Sequence, residues 1–301
     1  MSLIRYESHN FKPATLATIN QANEILEDYA SRGFDLTLRQ LYYQFVARAL
    51  IPNTQRSYKN LGTAVSNGRL AGLIDWDYII DRTRKIRSLN TWENAYGIMV
   101  STHNSFRIDK WAEQPYHIEV WIEKDALIGV IQRICNELRI NYFSCRGYTS
   151  LSAMWRAARR LRGHENDWKE TVILHLGDHD PSGLDMTRDI QDRLKTFGSE
   201  VDVRRIALNM DQIDEYNPPP NPAKLSDSRA GEYVPKYGYD SWELDALEPE
   251  AMEDLIESAV LELRNGKLWD EATYIEDEHK EDLKLAVDNW DDVVQFLRSS
   301  A

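Results

Sequence analysis

The sequence predicts a mixed α/β chain with a helical N-terminal unit, a parallel sheet flanked by helices, and an acidic, mainly helical C-terminal extension. Three observations predict it. Helical periodicity fills the first part of the chain, from about residue 14 to residue 73. From residue 116, short apolar runs alternate with helical ones in a βαβαβαβ rhythm, the pattern of a parallel sheet with helices on its faces. Charge is also sorted along the chain. Residues 241–301 hold 18 Asp/Glu against 5 Lys/Arg, while residues 31–110 hold 12 basic against 6 acidic side chains.

The elements follow in order. Residues 14–31 read as an amphipathic helix stopped by Gly33. Thr37 is placed as an N-cap, with Gln40 completing a capping box. The next helix, LRQLYYQFVARAL, carries an apolar stripe of Leu38, Leu41, Tyr42, Phe45, Val46 and Ala49. Tyr42 is on that stripe and is expected in the core. Tyr43, rotated by about 100°, joins Arg39 on the polar side and is expected at solvent or ligand. A third helix spans roughly residues 56–73, and DWDYIIDRTRKIRS then reads as a short strand or hairpin rich in arginine. Three helices, a tight turn and a basic hairpin form a winged-helix pattern, which places Arg56, Lys59, Arg69, Arg82, Arg84, Lys85 and Arg87 as DNA contacts. A fourth helix, about residues 91–110, leads to Pro115, so the domains are placed at 1–112 and 113–301.

The strands are YHIEVWI, INYFSC, TVILHL and VDVRRIAL, separated by helices. NPPPNPAKLSD is too rich in proline for regular structure and is expected as a packed loop. In an open parallel sheet, sites form at the carboxyl ends of the strands. Those ends carry Glu123-Lys124-Asp125, Arg146 to Ser150, and GDHDPSG from Gly177 to Gly183. Asp178 and Asp180 are two residues apart in an extended segment and share a face. Like charges so placed are unfavourable without a cation, and carboxylates suit Mg²⁺. Glu123, Asp178 and Asp180 are therefore candidate metal ligands. His179 points the other way, as a packing residue. The bland alternative is that Asp180 and Asp125 merely cap helices.

The net charge of −13 does not exclude a nucleic-acid partner, because local charge attracts phosphate. No run approaches a membrane span, and the start lacks an apolar signal core. Cys135 and Cys145 read as buried free thiols in a reducing compartment, so a cytoplasmic location is expected, nucleoid-associated if the chain is prokaryotic.

A glutamate after one strand followed by Asp-x-Asp-Pro-x-Gly after a later one resembles the TOPRIM domain. The Pro-x-Gly ending is most similar to the topoisomerase VI A subunit and the meiotic double-strand-break transesterase. Those proteins carry a winged-helix domain with Arg-[Asp/Glu]-[Leu/Ile]-[Tyr/Phe]-Tyr, which Arg39-Gln40-Leu41-Tyr42-Tyr43 matches except at Gln40. The resemblance covers roughly residues 35–210. It implies that Tyr43 attacks a DNA phosphate to leave a 5′-phosphotyrosine link, aided by Arg39 and by Mg²⁺ on Glu123, Asp178 and Asp180. Lys124 and Arg146 are then phosphate contacts or plain surface charges. The family also implies a homodimer, with the tyrosine of one protomer serving the metal site of the other, and a separate ATPase subunit. Two alternatives stay open: a TOPRIM nuclease that uses water, and a non-catalytic DNA-binding module.

Overall fold

The computed structural model describes residues 3–80 and 89–300. Three helices begin it: α1 (Pro13–Ser31), α2 (Leu38–Ala47) and α3 (Gln55–Leu70). Thr37 caps α2 in the expected capping box, its hydroxyl accepting the Gln40 amide and the Gln40 side chain accepting the Thr37 amide. Ile19, Ile25, Leu26 and Tyr29 of α1 meet Leu41, Phe45 and Leu61 in one core. Leu36 forms an isolated parallel bridge with Ile79. Of the expected basic hairpin, Arg82, Arg84, Lys85 and Arg87 lie outside the described residues. The fourth helix, α4 (Ala95–Ser105), is shorter than expected, with Asn94 as its cap.

The second unit is built on four parallel strands, β1 (Tyr116–Ile122), β2 (Asn141–Ser144), β3 (Glu170–Leu176) and β4 (Asp202–Ala207), in the order β2-β1-β3-β4. The crossovers are α5 (Ile128–Glu137), entered through a single 3₁₀ turn, α6 (Leu151–Asn166) and α7 (Pro181–Thr196). β1 and β3 are buried on both faces, as strands inside a parallel sheet must be. On one face Val120, Ile122, Val172 and Leu174 pack on Val130, Ile131 and Ile134 of α5. On the other, Trp121 and Ile173 pack on Met154 and Leu161 of α6 and Ile190 and Leu194 of α7.

Beyond the sheet come α8 (Met210–Tyr216), a two-residue antiparallel pair of β5 (Asn221–Pro222) with β6 (Asp240–Ser241), and α9 (Ala230–Tyr237). Three helices close the chain: α10 (Pro249–Leu263), α11 (Gly266–Asp288) and α12 (Trp290–Ser299). The acidic region is helical as expected, but α10 is no appendage. Its stripe Met252, Ile256 and Val260 is fully buried in the same core as β1 and α5. Its acidic residues Asp254, Glu257 and Glu262 are exposed on the other side. α11 packs on α4, and its buried Glu276 receives the Ile108 amide, Arg139 and Lys280. Among the described residues, no helix is long and apolar enough to cross a membrane.

Candidate active site

Pairing of β1 with β3 sets Ile122 beside Leu176, so the residues that follow emerge side by side. The Glu123 amide donates to the Leu176 carbonyl at 2.9 Å, and the Asp178 amide donates to Glu123 Oε2 at 2.8 Å. The turn is tight for steric reasons. A Cβ on Gly183 would run into the Asp178 carbonyl oxygen, and one on Gly177 would come within 3.0 Å of Glu123 Oε2. Asp180 is the N-cap of α7, its Oδ1 accepting from the Gly183 amide at 2.6 Å and the Ser182 hydroxyl at 2.9 Å. Pro181 fills the first helical position, where no N–H is needed. One of the free N–H groups at this helix end is thus taken by its own Asp180.

These strand ends form one wall of a cavity of about 710 Å³. Glu123, Asp178 and Asp180 line it together with Arg39, Lys124 and Arg146. The structure therefore gathers residues that the sequence scatters over three strand ends and α2. Asn221, Lys224, Glu243 and Asp245, not singled out in the sequence, complete the lining. Glu243 and Asp245 arrive because the His179 and Trp242 backbones exchange hydrogen bonds of 2.8 and 3.0 Å. The signal was present: Glu243-Leu244-Asp245 repeats the acid-x-acid spacing of Asp178-His179-Asp180.

Lys124 is the centre of the site rather than a surface charge. Its Nζ lies 2.8 Å from Asp178 Oδ1, 2.9 Å from Glu243 Oε2 and 2.7 Å from Asp245 Oδ2. Burial alone would lower its pKa, but Asp178, Asp245 and Glu243 outweigh it and hold the ammonium charged. Arg39 extends the network from α2, donating to Glu243 Oε1 at 2.6 Å. Burial, then the Asp178 charge, pushes the Glu123 carboxyl up; burial likewise raises Asp178, against the pull of Lys124.

The donor set suits Mg²⁺ in kind: hard oxygens, two of them crowded into raised pKa values. Asp245 Oδ1 is buried and has no hydrogen-bond partner among the described residues, as expected of an oxygen that serves a ligand. As they stand, no three or more His, Cys, Asp or Glu among the described residues are grouped so as to hold a metal ion. Lys124 supplies the positive charge in their midst.

No family model, curated protein or solved structure matches this chain.

Tyr43 corrects an expectation. Both tyrosines are buried, Tyr42 at 5% and Tyr43 at 2% exposure. Tyr42 donates to Asn53 Oδ1 at 2.8 Å within the helical core. Tyr43 leaves the stripe as the helical rotation requires, with the Arg39 guanidinium 5.9 Å from its ring, but it does not reach solvent. Asn221 and Glu243 reach that side of α2. Tyr43 Oη accepts from Asn221 Nδ2 at 3.1 Å, and burial followed by the Glu243 charge pushes its pKa up to about 12. The hydroxyl thus sits behind the wall of its own chain's cavity.

His179 packs as expected: Nδ1 meets the Tyr233 hydroxyl at 2.9 Å, and burial lowers its pKa to about 4. Arg205, also overlooked, braces the turn by donating to the carbonyls of Gly177, Asp178 and Gly183 at 2.8, 2.6 and 3.0 Å. Arg56 and Lys59 are exposed on α3, and Arg146 is exposed at the cavity rim, 3.2 Å from Asp125. Arg69 is half-buried and already partnered within its own unit. The loop after α3 folds back on it, so that it donates to the carbonyls of Trp76 and Ile79 and stacks over the Trp76 ring at 4.4 Å.

Proposed function

We propose that the chain cleaves phosphodiester bonds of double-stranded DNA in this cavity, by transesterification through Tyr43. The observation that carries the reading is the docking of α2 on the strand-end carboxylates. Glu243 bridges Arg39 to Lys124 inside the cavity, and Asn221 of its wall holds the Tyr43 hydroxyl, so cations and acidic cluster share the cavity with the nucleophile one side chain behind it. In this reading a DNA phosphate takes over Arg39 and Lys124 from Glu243, and Asn221 releases the phenol. The bond from Tyr43 Oη to phosphorus forms as the phosphorus–O3′ bond breaks, the phenolic proton passing to a neighbouring carboxylate and O3′ taking a proton from water to leave as the 3′-hydroxyl. Glu123, Asp178 and Asp180 would hold Mg²⁺, which supplies charge neutralisation at the phosphate and the leaving oxygen. We read α1–α3 as a winged helix that brings duplex in along Arg56 and Lys59. A homodimer would cut both strands, and an ATPase partner would be needed only for strand passage.

A second reading, a metal-dependent nuclease that uses water, is favoured by the burial and raised pKa of Tyr43. One experiment separates the two. Protein, Mg²⁺ and end-labelled duplex are incubated, denatured and resolved. Label on the protein that is lost in Tyr43→Phe supports transesterification. Free 5′-phosphate ends, unchanged in Tyr43→Phe but lost in Asp178→Asn, support the nuclease. Metal-independent binding without cutting removes both.

A further inference from the structure

Outside the cavity, α6 presents a face that the proposed chemistry does not use. Trp155, Arg159 and Arg162 fall at i, i+4 and i+7 and share one side of the helix, with Arg156 beside them. All four are exposed. The fourth arginine of this run, Arg160, is turned inward to Glu119 at 2.8 and 2.9 Å, which shows what an arginine on α6 does when a carboxylate is available. Among the described residues, Arg156, Arg159 and Arg162 have no ion pair. In a chain of net charge −13, three unpaired arginines on two turns of helix form a distinct positive stripe.

Apolar surface lies beside the charge. Leu151 and Trp155 are 68% and 45% exposed, and with Arg156 and Phe197 they line a recess of about 290 Å³. The Arg159 guanidinium stacks over the Trp155 ring, 5.0 Å from its centroid. Arg162 reaches toward the turn at Gly198, next to Phe197, so the stripe runs along the recess.

We propose that this face binds single-stranded nucleic acid, with an unpaired base against Trp155 in the recess and successive phosphates on Arg156, Arg159 and Arg162. A groove that pairs cations with a stacking platform is the general solution for single strands. Arg156 to Arg162 covers about 9 Å of helix axis, enough for consecutive phosphates rather than one. A duplex fits the stripe but not the recess, because its base faces are already stacked. In sequence the face follows the cavity rim: Leu151 opens α6 five residues after Arg146. It does not depend on the cleavage chemistry.

The test is fluorescence anisotropy in EDTA with labelled decathymidylate and a duplex of the same length, across a salt series. Wild type should bind the single strand, and the α6 variants should lose that binding while keeping wild-type affinity for the duplex. The triple variant Arg156→Gln/Arg159→Gln/Arg162→Gln should bind the single strand at least about tenfold more weakly, with a log–log salt slope shallower by about two, given about 0.7 per phosphate on single strands. Trp155→Ala should weaken binding about fivefold or more, while Trp155→Phe retains most of it. The arginines are unpaired and exposed, so circular dichroism of the triple variant should match wild type. Wild-type affinity and slope in the triple variant would overturn the proposal. So would an unaffected Trp155→Ala, or a triple variant that loses duplex binding as strongly as single-strand binding.

Discussion

Tyr42 and Tyr43 are adjacent in sequence and share a core, yet their hydroxyls face different partners. Tyr42 binds the α2–α3 connection, whereas Tyr43 meets Asn221 of the cavity wall. Tyr43→Phe removes one hydrogen bond to a partly buried amide and should cost about 1 kcal/mol in urea unfolding. Tyr43→Ala and Tyr42→Ala each leave a ring-sized hole and should both cost about 3–5 kcal/mol. A Tyr43→Ala loss below 1 kcal/mol would show that the ring is not packed as described. The Glu123 carboxyl makes a separate prediction in pH. Burial and Asp178 raise it to about 7 in the folded chain, above its unfolded value. Stability from this group is therefore full below the ordinary carboxylate range and lost as pH rises through about 7. In EDTA, Glu123→Gln should match wild type near pH 5 and exceed it at pH 8 by roughly 1–3 kcal/mol. A variant less stable than wild type at pH 8 would contradict this origin of the shift.

At the scale of elements, the turn from Gly177 to Gly183 explains its own composition. Glycine at 183 is required by the approach of the Asp178 carbonyl, and proline at 181 by the helix start. Gly183→Ala should therefore destabilise by several kcal/mol or disorder the turn, visible as a lowered Tm and altered near-UV dichroism. Asp178→Asn in the same turn keeps an Oδ1 that can accept from Lys124 Nζ and the Leu244 amide, and should leave the fold intact. Much of this was legible in the sequence. The runs YHIEVWI and TVILHL are strands because continuous apolar residues suit a sheet covered on both faces, and the acids that end them had to emerge at its carboxyl edge. What was not legible depends on pairing between distant segments. Nothing in residues 35–50 says that Asn221 will meet the Tyr43 hydroxyl, and nothing near Asp178 says that Trp242 will bring Glu243 alongside. Arg69 shows the same limit: its charge suggested phosphate, while the loop that folds back on it decides its partners. On α3, Arg56 and Lys59 stay exposed. The double variant Arg56→Gln/Lys59→Gln should reduce the salt slope of duplex binding by about two, at about 0.9 per phosphate. An unchanged slope would remove α3 from the interface.

Over the whole molecule, the helical and α/β units are joined through the site. Ala246 lies in the core of α1 and α2, Gln44 donates to Glu248 at 2.9 Å, Arg32 pairs with Glu250 at 2.5 Å, and Arg39 pairs with Glu243. The segment 241–250 is thus at once cavity wall and docking surface for α2, so movement of the helical unit changes the charges around Lys124. Such coupling suits a site that opens when DNA displaces Glu243 from its two cations. The measurement that bears most directly on this is the rate of cutting of an end-labelled duplex in Mg²⁺ by wild type and Glu123→Gln, both verified as folded. Cutting by wild type and a loss of at least about a hundredfold in Glu123→Gln is the expected result, in the range for losing a main electrostatic or acid–base group. Equal cutting by the two proteins, or no cutting by wild type, would contradict the assignment of phosphodiester chemistry to this cavity.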